Sequence, residues 1–279
     1  MKTVPLYEGA EKKSYYRFLV PIEGISYEEI VRIRSLIGRD PALPPAFADR
    51  AVVQTDEYVP APEGLYFMKD GTLFISTITP MPDVTGEMLQ WWLLWHELDP
   101  LRYAIWNPED HYDVRVSAED RARILDENMT LKERSWGIES HVLESMNGEE
   151  PEWHVLNFVE PETVGLRNYL PEGARCTYTC TLNNTIKPGP FEIPLFMCNF
   201  LRTNDDGINE IVYHLWIGHG VKDGEDVTVD LPEPFIKGFV EHFPLMFMIH
   251  NHKEMRHLNK VLPALYAEQK DKPLDAEAL

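Results

Sequence analysis

Cysteine is scarce in this sequence: its 279 residues include only Cys176, Cys180 and Cys198. So few cysteines, and an odd number of them, argue against a disulfide framework and favour a reducing compartment. Cys176 and Cys180 are not spaced as a C-x-x-C pair. We therefore expect neither a zinc knuckle nor a thiol redox motif.

Positive charge is also in short supply. Lysine and arginine together number 26 against 46 aspartates and glutamates, which gives a net charge of −20 at pH 7. A surface this acidic repels nucleic acid and anionic membrane surfaces, so we expect neither as a partner. The charge balance suits an uncharged or cationic small-molecule substrate.

Long apolar runs are missing as well. No stretch approaches the roughly 20 apolar residues that a membrane-spanning helix needs. The first residues, MKTVPLYEGAEKKSYY, contain no apolar core of a signal peptide, so we expect a cytoplasmic protein. The motifs G-x-S-x-G, G-x-x-x-x-G-K-[ST] and G-x-G-x-x-G are absent too. A serine hydrolase, an NTPase and a dinucleotide enzyme are therefore unsupported.

Two short stretches predict local structure through their capping and turn residues. Residues 26–37 are typical of a helix, since Ser26 and Glu29 form a capping box and Gly38 stands at the expected C-terminal end. Two apolar runs flank Asp70-Gly71, which is a strong indication of a β-hairpin.

A proline-rich stretch runs from Pro41 to Pro62 and predicts a domain boundary near residue 60. We expect a small, partly helical N-terminal segment over residues 1–60. The main domain would then occupy residues 61–279.

The main domain continues with a helix that Asp83 or Thr85 can cap and that runs to about Glu97. After Pro108, short apolar runs separated by turn residues predict a meander of antiparallel strands. A long helix from about Leu245 closes the chain. One long helix packed across a curved antiparallel sheet is the α+β helix-grip, or Bet v1-like, fold, which tends to leave a cavity between helix and sheet.

The final helix carries polar residues on its apolar stripe. His250, Glu254 and His257 share that stripe with leucines and valine, whereas His252 falls on the opposite face. A buried, unpaired carboxylate costs several kcal/mol or more, so Glu254 needs a partner. His250 and Glu254, at i and i+4, can reach a common zinc ion, with His257 as a rival ligand. A His–Glu hydrogen bond completed by an arginine is the structural alternative.

Further candidate residues lie earlier in the chain. His111 follows a proline turn in WNPEDHYD, and Glu144 lies among apolar neighbours in the predicted strand SHVLESM. Tyr103 and Tyr213 could each donate a hydrogen bond to a developing oxyanion. The alternatives are a loop histidine, a solvated glutamate and tyrosines that only pack in the core.

Three segments together resemble a known family. WWLLWHELDPLRYAIWNPEDH, SHVLES and HNHKE occur in this order, and at similar separations, in the 2,4-diacetylphloroglucinol hydrolases and the related phloretin hydrolases. The resemblance implies a Bet v1-like domain with a small helical N-terminal part. It also implies a Zn²⁺ site and two substrate-contacting tyrosines. The implied zinc ligands are His111, Glu144, His250 and Glu254, and the implied tyrosines are Tyr103 and Tyr213.

The resemblance leaves two positions open. Glu139 is the alternative to Glu144 as the first glutamate ligand. The family also has an active-site histidine before the second tyrosine, where this sequence reads LFMCNFL with Cys198 and Asn199. Because this histidine is replaced, the substrate or the acid–base relay is expected to differ from that of the family.

The activity implied by the resemblance is hydrolysis of the carbon–carbon bond between an acyl group and a phloroglucinol-type ring, releasing the polyphenol and a carboxylic acid. The acyl group and the oligomeric state are not encoded in any motif, although the family resemblance implies a homodimer. Two alternatives share the fold: a non-catalytic binding protein for an aromatic or apolar ligand, and a metal-free enzyme of the polyketide-cyclase type.

Overall fold

The computed structural model describes residues 3–279. Its strands are β1 (Ile37–Arg39), β2 (Gly64–Phe67), β3 (Leu73–Pro80), β4 (His111–Val116), β5 (Glu139–Glu144), β6 (Glu152–Asn157), β7 (Cys176–Ile186), β8 (Ile193–Thr203), β9 (Asn209–Ile217), β10 (His219–Lys222) and β11 (Glu225–Thr228). Its α-helices are α1 (Tyr27–Arg34), α2 (Gly86–Trp95), α3 (Pro100–Trp106), α4 (Ala118–Ile124), α5 (Leu131–Arg134) and α6 (Glu233–Gln269).

The chain forms two compact units, each assembled from separate stretches of sequence. The first comprises the described residues up to Gly24, Met81–Phe158 and Lys253–Leu279. The second comprises Ile25–Pro80 and Val159–His252. Helix α6 is continuous, and it passes from the second unit into the first after His252. The predicted division into residues 1–60 and 61–279 is a division along the sequence, and it stays a prediction.

The second unit is built on a six-stranded sheet. The strand order is β1-β2-β3-β9-β8-β7, and every neighbouring pair is antiparallel except β1 and β2. The predicted hairpin at Asp70-Gly71 is confirmed, since it joins β2 to β3 and Gly71 takes the positive φ that such a turn requires. The capping box of Ser26 and Glu29 is also confirmed at the start of α1.

The part of α6 up to His252 packs its apolar side chains on this sheet. Phe235, Met248 and Ile249 of the helix share one core cluster with sheet residues such as Ile75 and Leu215. Burial of these apolar surfaces stabilises the pair by roughly 25 cal/mol per Å² removed from water. The predicted helix-grip, a curved antiparallel sheet covered by a long C-terminal helix, is therefore confirmed.

Helix α6 begins at Glu233, earlier than the predicted start near Leu245. Four phenylalanines at four-residue spacing lie along one face of this first part, with ring centroids 5.1, 4.6 and 5.6 Å apart between successive members Phe235, Phe239, Phe243 and Phe247. Pro244 lies inside this helix, where a proline costs about 3 kcal/mol, and Phe243 and Phe247 pack on either side of it in the sequence.

The first unit contains a second, three-stranded antiparallel sheet in the order β4-β5-β6. The strands predicted after Pro108 do form, but they divide among three sheets, since β10 and β11 make a separate pair. Tyr103 of α3 packs on this small sheet against Val114 and Val142. Thr85 caps α2, as one of the two predicted alternatives, by accepting a hydrogen bond from the backbone N–H of Met88.

None of the helices among residues 3–279 combines the length and the apolar character that crossing a membrane requires.

Candidate active site

A turn after α3 delivers His111 to the start of β4. The carbonyl of Asn107 accepts hydrogen bonds from the backbone N–H groups of Asp110 and His111, at 3.3 and 3.0 Å. The buried imidazole of His111 has Nδ1 at 3.2 Å from the carbonyl oxygen of Tyr103. Since a carbonyl can only accept, Nδ1 carries the hydrogen and Nε2 keeps its lone pair. A histidine held this way is suited to bind a metal through Nε2.

Strand register brings Glu144 to His111. The two residues are directly opposite each other in the pairing of β4 with β5, and Glu144 Oε2 lies 3.7 Å from His111 Nε2. The alternative residue, Glu139, lies at the other end of β5, where it pairs in register with Asn157. Its side chain is 55% exposed and contacts His141 at 2.8 Å. Of the two glutamates, the structure places Glu144 beside His111.

Helix α6 brings a second carboxylate to the same imidazole. Glu254 Oε2 lies 3.3 Å from Nε2 of His111, and the Glu254 side chain is 7% exposed. Two carboxylates, from Glu144 and Glu254, therefore approach one ring nitrogen in a buried position. Like charges held this close are costly unless protons or a cation offset them.

His250 lies one helical turn before Glu254 on α6 and is also buried. His111, His250 and Glu254 each offer one ligand atom, and these atoms all lie within 4.8 Å of one another. The group could hold a metal ion, and imidazole nitrogen with carboxylate oxygen is a donor set that suits zinc. The rival ligand His257 is not in this group; burial lowers the pKa of its imidazole to about 4.

Tyr103 lies directly on the imidazole of His111. The two rings are stacked with centroids 4.0 Å apart and an angle of 5° between their planes. The Tyr103 hydroxyl donates a 2.8 Å hydrogen bond to Oε2 of Glu144. Burial, followed by the negative charge of Glu144, raises the pKa of the Tyr103 hydroxyl well above its usual range, so the phenol keeps its proton at neutral pH.

The other predicted tyrosine, Tyr213, belongs to the second unit. It lies on β9, where its register partners are Thr77 of β3 and Asn199 of β8. The contact with Asn199 places it next to one of the two residues that depart from the family pattern. The role of Tyr213 stays a prediction.

The strand position opposite Cys198 is occupied by a histidine that the sequence analysis did not assign. His214 pairs in register with Cys198 and is fully buried among aromatic rings, including Phe74, Phe200 and Trp216. Burial lowers the pKa of its imidazole to about 3, so the ring is neutral. Only the register between β8 and β9 reveals this neighbour of Cys198, because the two residues are remote in sequence.

Glu97 is a further buried carboxyl group of the first unit, and no sequence motif indicated it. Burial raises the pKa of Glu97 to about 8. Its Oε2 accepts a 2.5 Å hydrogen bond from the hydroxyl of Ser140 on β5. The acid is therefore largely protonated, and hence uncharged, at neutral pH.

Comparison with solved structures gives a remote likeness. The crystal structure of Ara h 8.0201 has a TM-score of 0.31 with this chain and 14% sequence identity, covering 65% of this chain and 95% of that one. A TM-score this low supports no conclusion about this chain.

Comparison with protein sequences gives much stronger matches. A phloretin hydrolase from Eubacterium ramulus is 33% identical over 221 residues, which are 78% of this chain and 75% of that protein. A 2,4-diacetylphloroglucinol hydrolase from a Pseudomonas species is 23% identical over 232 residues, which are 81% of this chain and 78% of that protein. The family model described as the DAPG hydrolase PhiG domain matches residues 43–267, more than half of the chain. The chain therefore belongs to the DAPG hydrolase family.

Proposed function

We propose that the chain is a zinc-dependent hydrolase that cleaves the carbon–carbon bond between an acyl group and a phloroglucinol-type ring. The similar proteins are named phloretin hydrolase and 2,4-diacetylphloroglucinol hydrolase, and both names denote hydrolases of acylated phloroglucinol rings. The observation that carries the proposal is the approach of the Glu144 and Glu254 carboxylates to His111 Nε2, at 3.7 and 3.3 Å.

The proposed zinc ligands are His111, Glu144, His250 and Glu254. A divalent cation would offset the repulsion between the two carboxylates and would explain why Glu254 is tolerated in a buried position. Three features support this set: the clustering of His111, His250 and Glu254, the Nδ1 hydrogen bond that leaves the ring lone pair of His111 on Nε2, and the cross-strand position of Glu144.

Four protein ligands would fill a tetrahedral site, whereas a catalytic zinc ion keeps a position open for water or substrate. We propose that, of these four ligands, Glu144 moves off the metal ion, so that one position opens for water or substrate. Glu144 then serves as the general base. Its oxygen lies farther from His111 Nε2 than that of Glu254, and its side chain is more exposed, at 16% against 7%. The hydroxyl of Tyr103 donates a hydrogen bond to this carboxylate.

A bound zinc ion would polarise a carbonyl oxygen of the substrate and make water more acidic. The ring is a poor leaving group as a bare carbanion, but in its keto tautomer it leaves as a stabilised enolate. Glu144 would take a proton from water as the water oxygen bonds to the acyl carbon. The bond from that carbon to the ring then breaks, its electron pair passes into the ring as the enolate, and the enolate oxygen takes up the proton that Glu144 had accepted. Once Glu144 has accepted its proton, the hydroxyl of Tyr103, which stays protonated at neutral pH, would turn from Glu144 and donate its hydrogen bond to the oxygen on which charge develops.

Tyr213 is proposed as the second tyrosine that contacts the substrate. We also propose a cytoplasmic location, which the three buried cysteine thiols support, because thiols persist in a reducing compartment. A homodimer stays a prediction from the family resemblance.

The direct test is a panel of phloretin and mono- and diacylated phloroglucinols, incubated with the purified protein with and without a chelator and separated by chromatography. We expect the free ring and a carboxylic acid from at least one member, and no product after chelation. Absence of product from every member would contradict the proposal. Binding of a polyphenol without turnover would indicate the non-catalytic binding protein instead.

A further inference from the structure

A buried ion pair lies beside the proposed zinc ligands. Lys253, on α6, is only 6% exposed, and its Nζ lies 2.5 Å from Oδ2 of Asp110, with Glu109 farther away at 3.4 Å. Lys253 immediately precedes Glu254, and Asp110 immediately precedes His111. The ion pair therefore joins the two backbone positions next to two of the proposed ligands.

The other oxygen of Asp110 reaches the third ligand segment. Oδ1 accepts hydrogen bonds from the hydroxyl of Ser145, at 2.8 Å, and from the backbone N–H of Gly148, at 3.0 Å. The backbone N–H of Ser145 also donates to the carbonyl of Asp110, at 2.8 Å. Ser145 immediately follows Glu144. One buried carboxylate thus holds three chain segments, each with a proposed zinc ligand at the adjacent position.

The residues of this hydrogen-bonded group point away from the side chains of the proposed ligands. Adjacent residues of an extended strand point to opposite faces, and adjacent residues of a helix point about 100° apart. Asp110, Ser145 and Lys253 therefore fix the backbone of the ligand segments without taking up the ligand positions. Well-packed apolar residues of similar volume are often at least as stabilising as a buried ion pair. Stability alone therefore does not account for the pair of Asp110 and Lys253.

We propose that Asp110, Ser145 and Lys253 are positioning residues that set the separation of His111, Glu144 and Glu254, and so determine the affinity of the site for a divalent metal ion. This inference rests on the proposed zinc site, and it assigns a function to buried residues outside the ligand set. None of the three residues is a proposed zinc ligand, so each acts through the ligand beside it in the sequence.

The test uses three variants of the full chain: Ser145→Ala, Lys253→Met and Asp110→Asn. Matched controls are Ser135→Ala, which removes a buried hydroxyl bonded to the carbonyl of Lys132, and Lys260→Met, which removes an exposed lysine of the same helix. The measurements are zinc affinity by competition with a chromogenic chelator, the visible spectrum of the Co²⁺-loaded protein, and the melting temperature of the metal-free protein.

We expect the three variants to bind zinc about 10- to 100-fold more weakly, the usual effect of removing an outer-shell partner of a metal site. Their Co²⁺ spectra should also change, since that spectrum reports ligand geometry. The two controls should keep the wild-type affinity and spectrum. Ser145→Ala removes only one hydroxyl group, so this variant measures the effect even if the charge variants do not fold.

Failure of the inference is distinguishable from failure of the proposed function. If the wild-type protein binds neither zinc nor Co²⁺, the proposed zinc site is wrong, and the inference falls with it. If the wild type binds zinc and Ser145→Ala keeps its affinity and Co²⁺ spectrum, the positioning role is overturned while the zinc site stands. A lower melting temperature with unchanged metal affinity would likewise overturn it, because that result shows a purely structural role.

Discussion

The Oε2 atom of Glu254 lies 3.3 Å from Nε2 of His111, although the two residues are far apart in the sequence. Glu144 approaches the same nitrogen from the neighbouring strand, at 3.7 Å. Both carboxylates lie against the imidazole of His111, whose Nδ1 donates a hydrogen bond to the carbonyl oxygen of Tyr103. This arrangement is stable only if a cation or added protons offset the negative charge. The proposed zinc ion is that cation.

Replacement of Glu144 by glutamine should abolish proton abstraction while largely preserving the shape of the site. We expect kcat to fall by about 10²- to 10⁴-fold, the usual contribution of a general base. The matched control is Glu139→Gln, a change in the exposed carboxylate at the other end of β5. Steady-state kinetics of both variants decide between the two glutamates, and an equal loss in both would contradict the assignment of Glu144.

The Tyr103→Phe variant removes the hydroxyl that donates to Glu144 but keeps the ring that stacks on His111. We expect kcat to fall by about 10²- to 10³-fold, as for other donors to a developing oxyanion, with the zinc content unchanged. Tyr112→Phe, in the half-buried tyrosine of β4, is the control. Loss of zinc together with activity would show that Tyr103 acts on the metal site rather than on the substrate.

Local structural features were predictable, because the interactions that form them involve residues only a few positions apart in the sequence. The capping box of Ser26 and Glu29 and the hairpin at Asp70-Gly71 each depend on a short sequence pattern, and both are confirmed. The start of α6 was not predictable, because Pro244 suggests a helix boundary. The packing that continues the helix through it becomes visible only in the fold.

The candidate site was predictable only in part. Helical periodicity placed His250 and Glu254 together, but the contact of Glu144 with His111 depends on strand register, which no local pattern encodes. Periodicity also placed His252 opposite the apolar stripe. That residue is nevertheless buried and contacts Glu63 at 2.8 Å, since α6 is buried on almost every side near this turn.

Glu97 predicts a pH dependence of stability. Burial raises the pKa of Glu97 from an ordinary value of 4.5 to about 8, so the folded state binds its proton more tightly than the unfolded state. The contribution of Glu97 to the free energy of unfolding is therefore full below about pH 4.5 and is lost as the pH rises towards about 8. Glu97→Gln keeps the uncharged form at every pH.

We expect the free energy of unfolding of Glu97→Gln to increase, relative to wild type, between about pH 5 and about pH 8. Urea denaturation across this range measures the difference. Glu119→Gln, at an exposed position of α4, should show no such trend. A difference between Glu97→Gln and wild type that does not vary with pH would contradict the assigned pKa of Glu97.

His214 predicts the opposite slope at lower pH. Burial lowers the pKa of its imidazole from 6.5 to about 3, so the unfolded state binds its proton more readily. The contribution of His214 to stability is present above about pH 6.5 and is lost as the pH falls towards 3. His214→Gln should make the free energy of unfolding less dependent on pH between about 6.5 and 4. His141→Gln, at a half-exposed position, is the control, and equal acid sensitivity of wild type and His214→Gln would disprove the account.

The most direct test of the zinc site is anomalous diffraction at the zinc absorption edge from crystals of the protein grown with zinc. We predict one strong peak at about 2.0 to 2.2 Å from nitrogen or oxygen atoms of His111, His250 and Glu254, the distances typical of zinc ligands. A map without a peak at these residues under zinc-replete conditions, or with Glu254 turned out into solvent, would contradict the account.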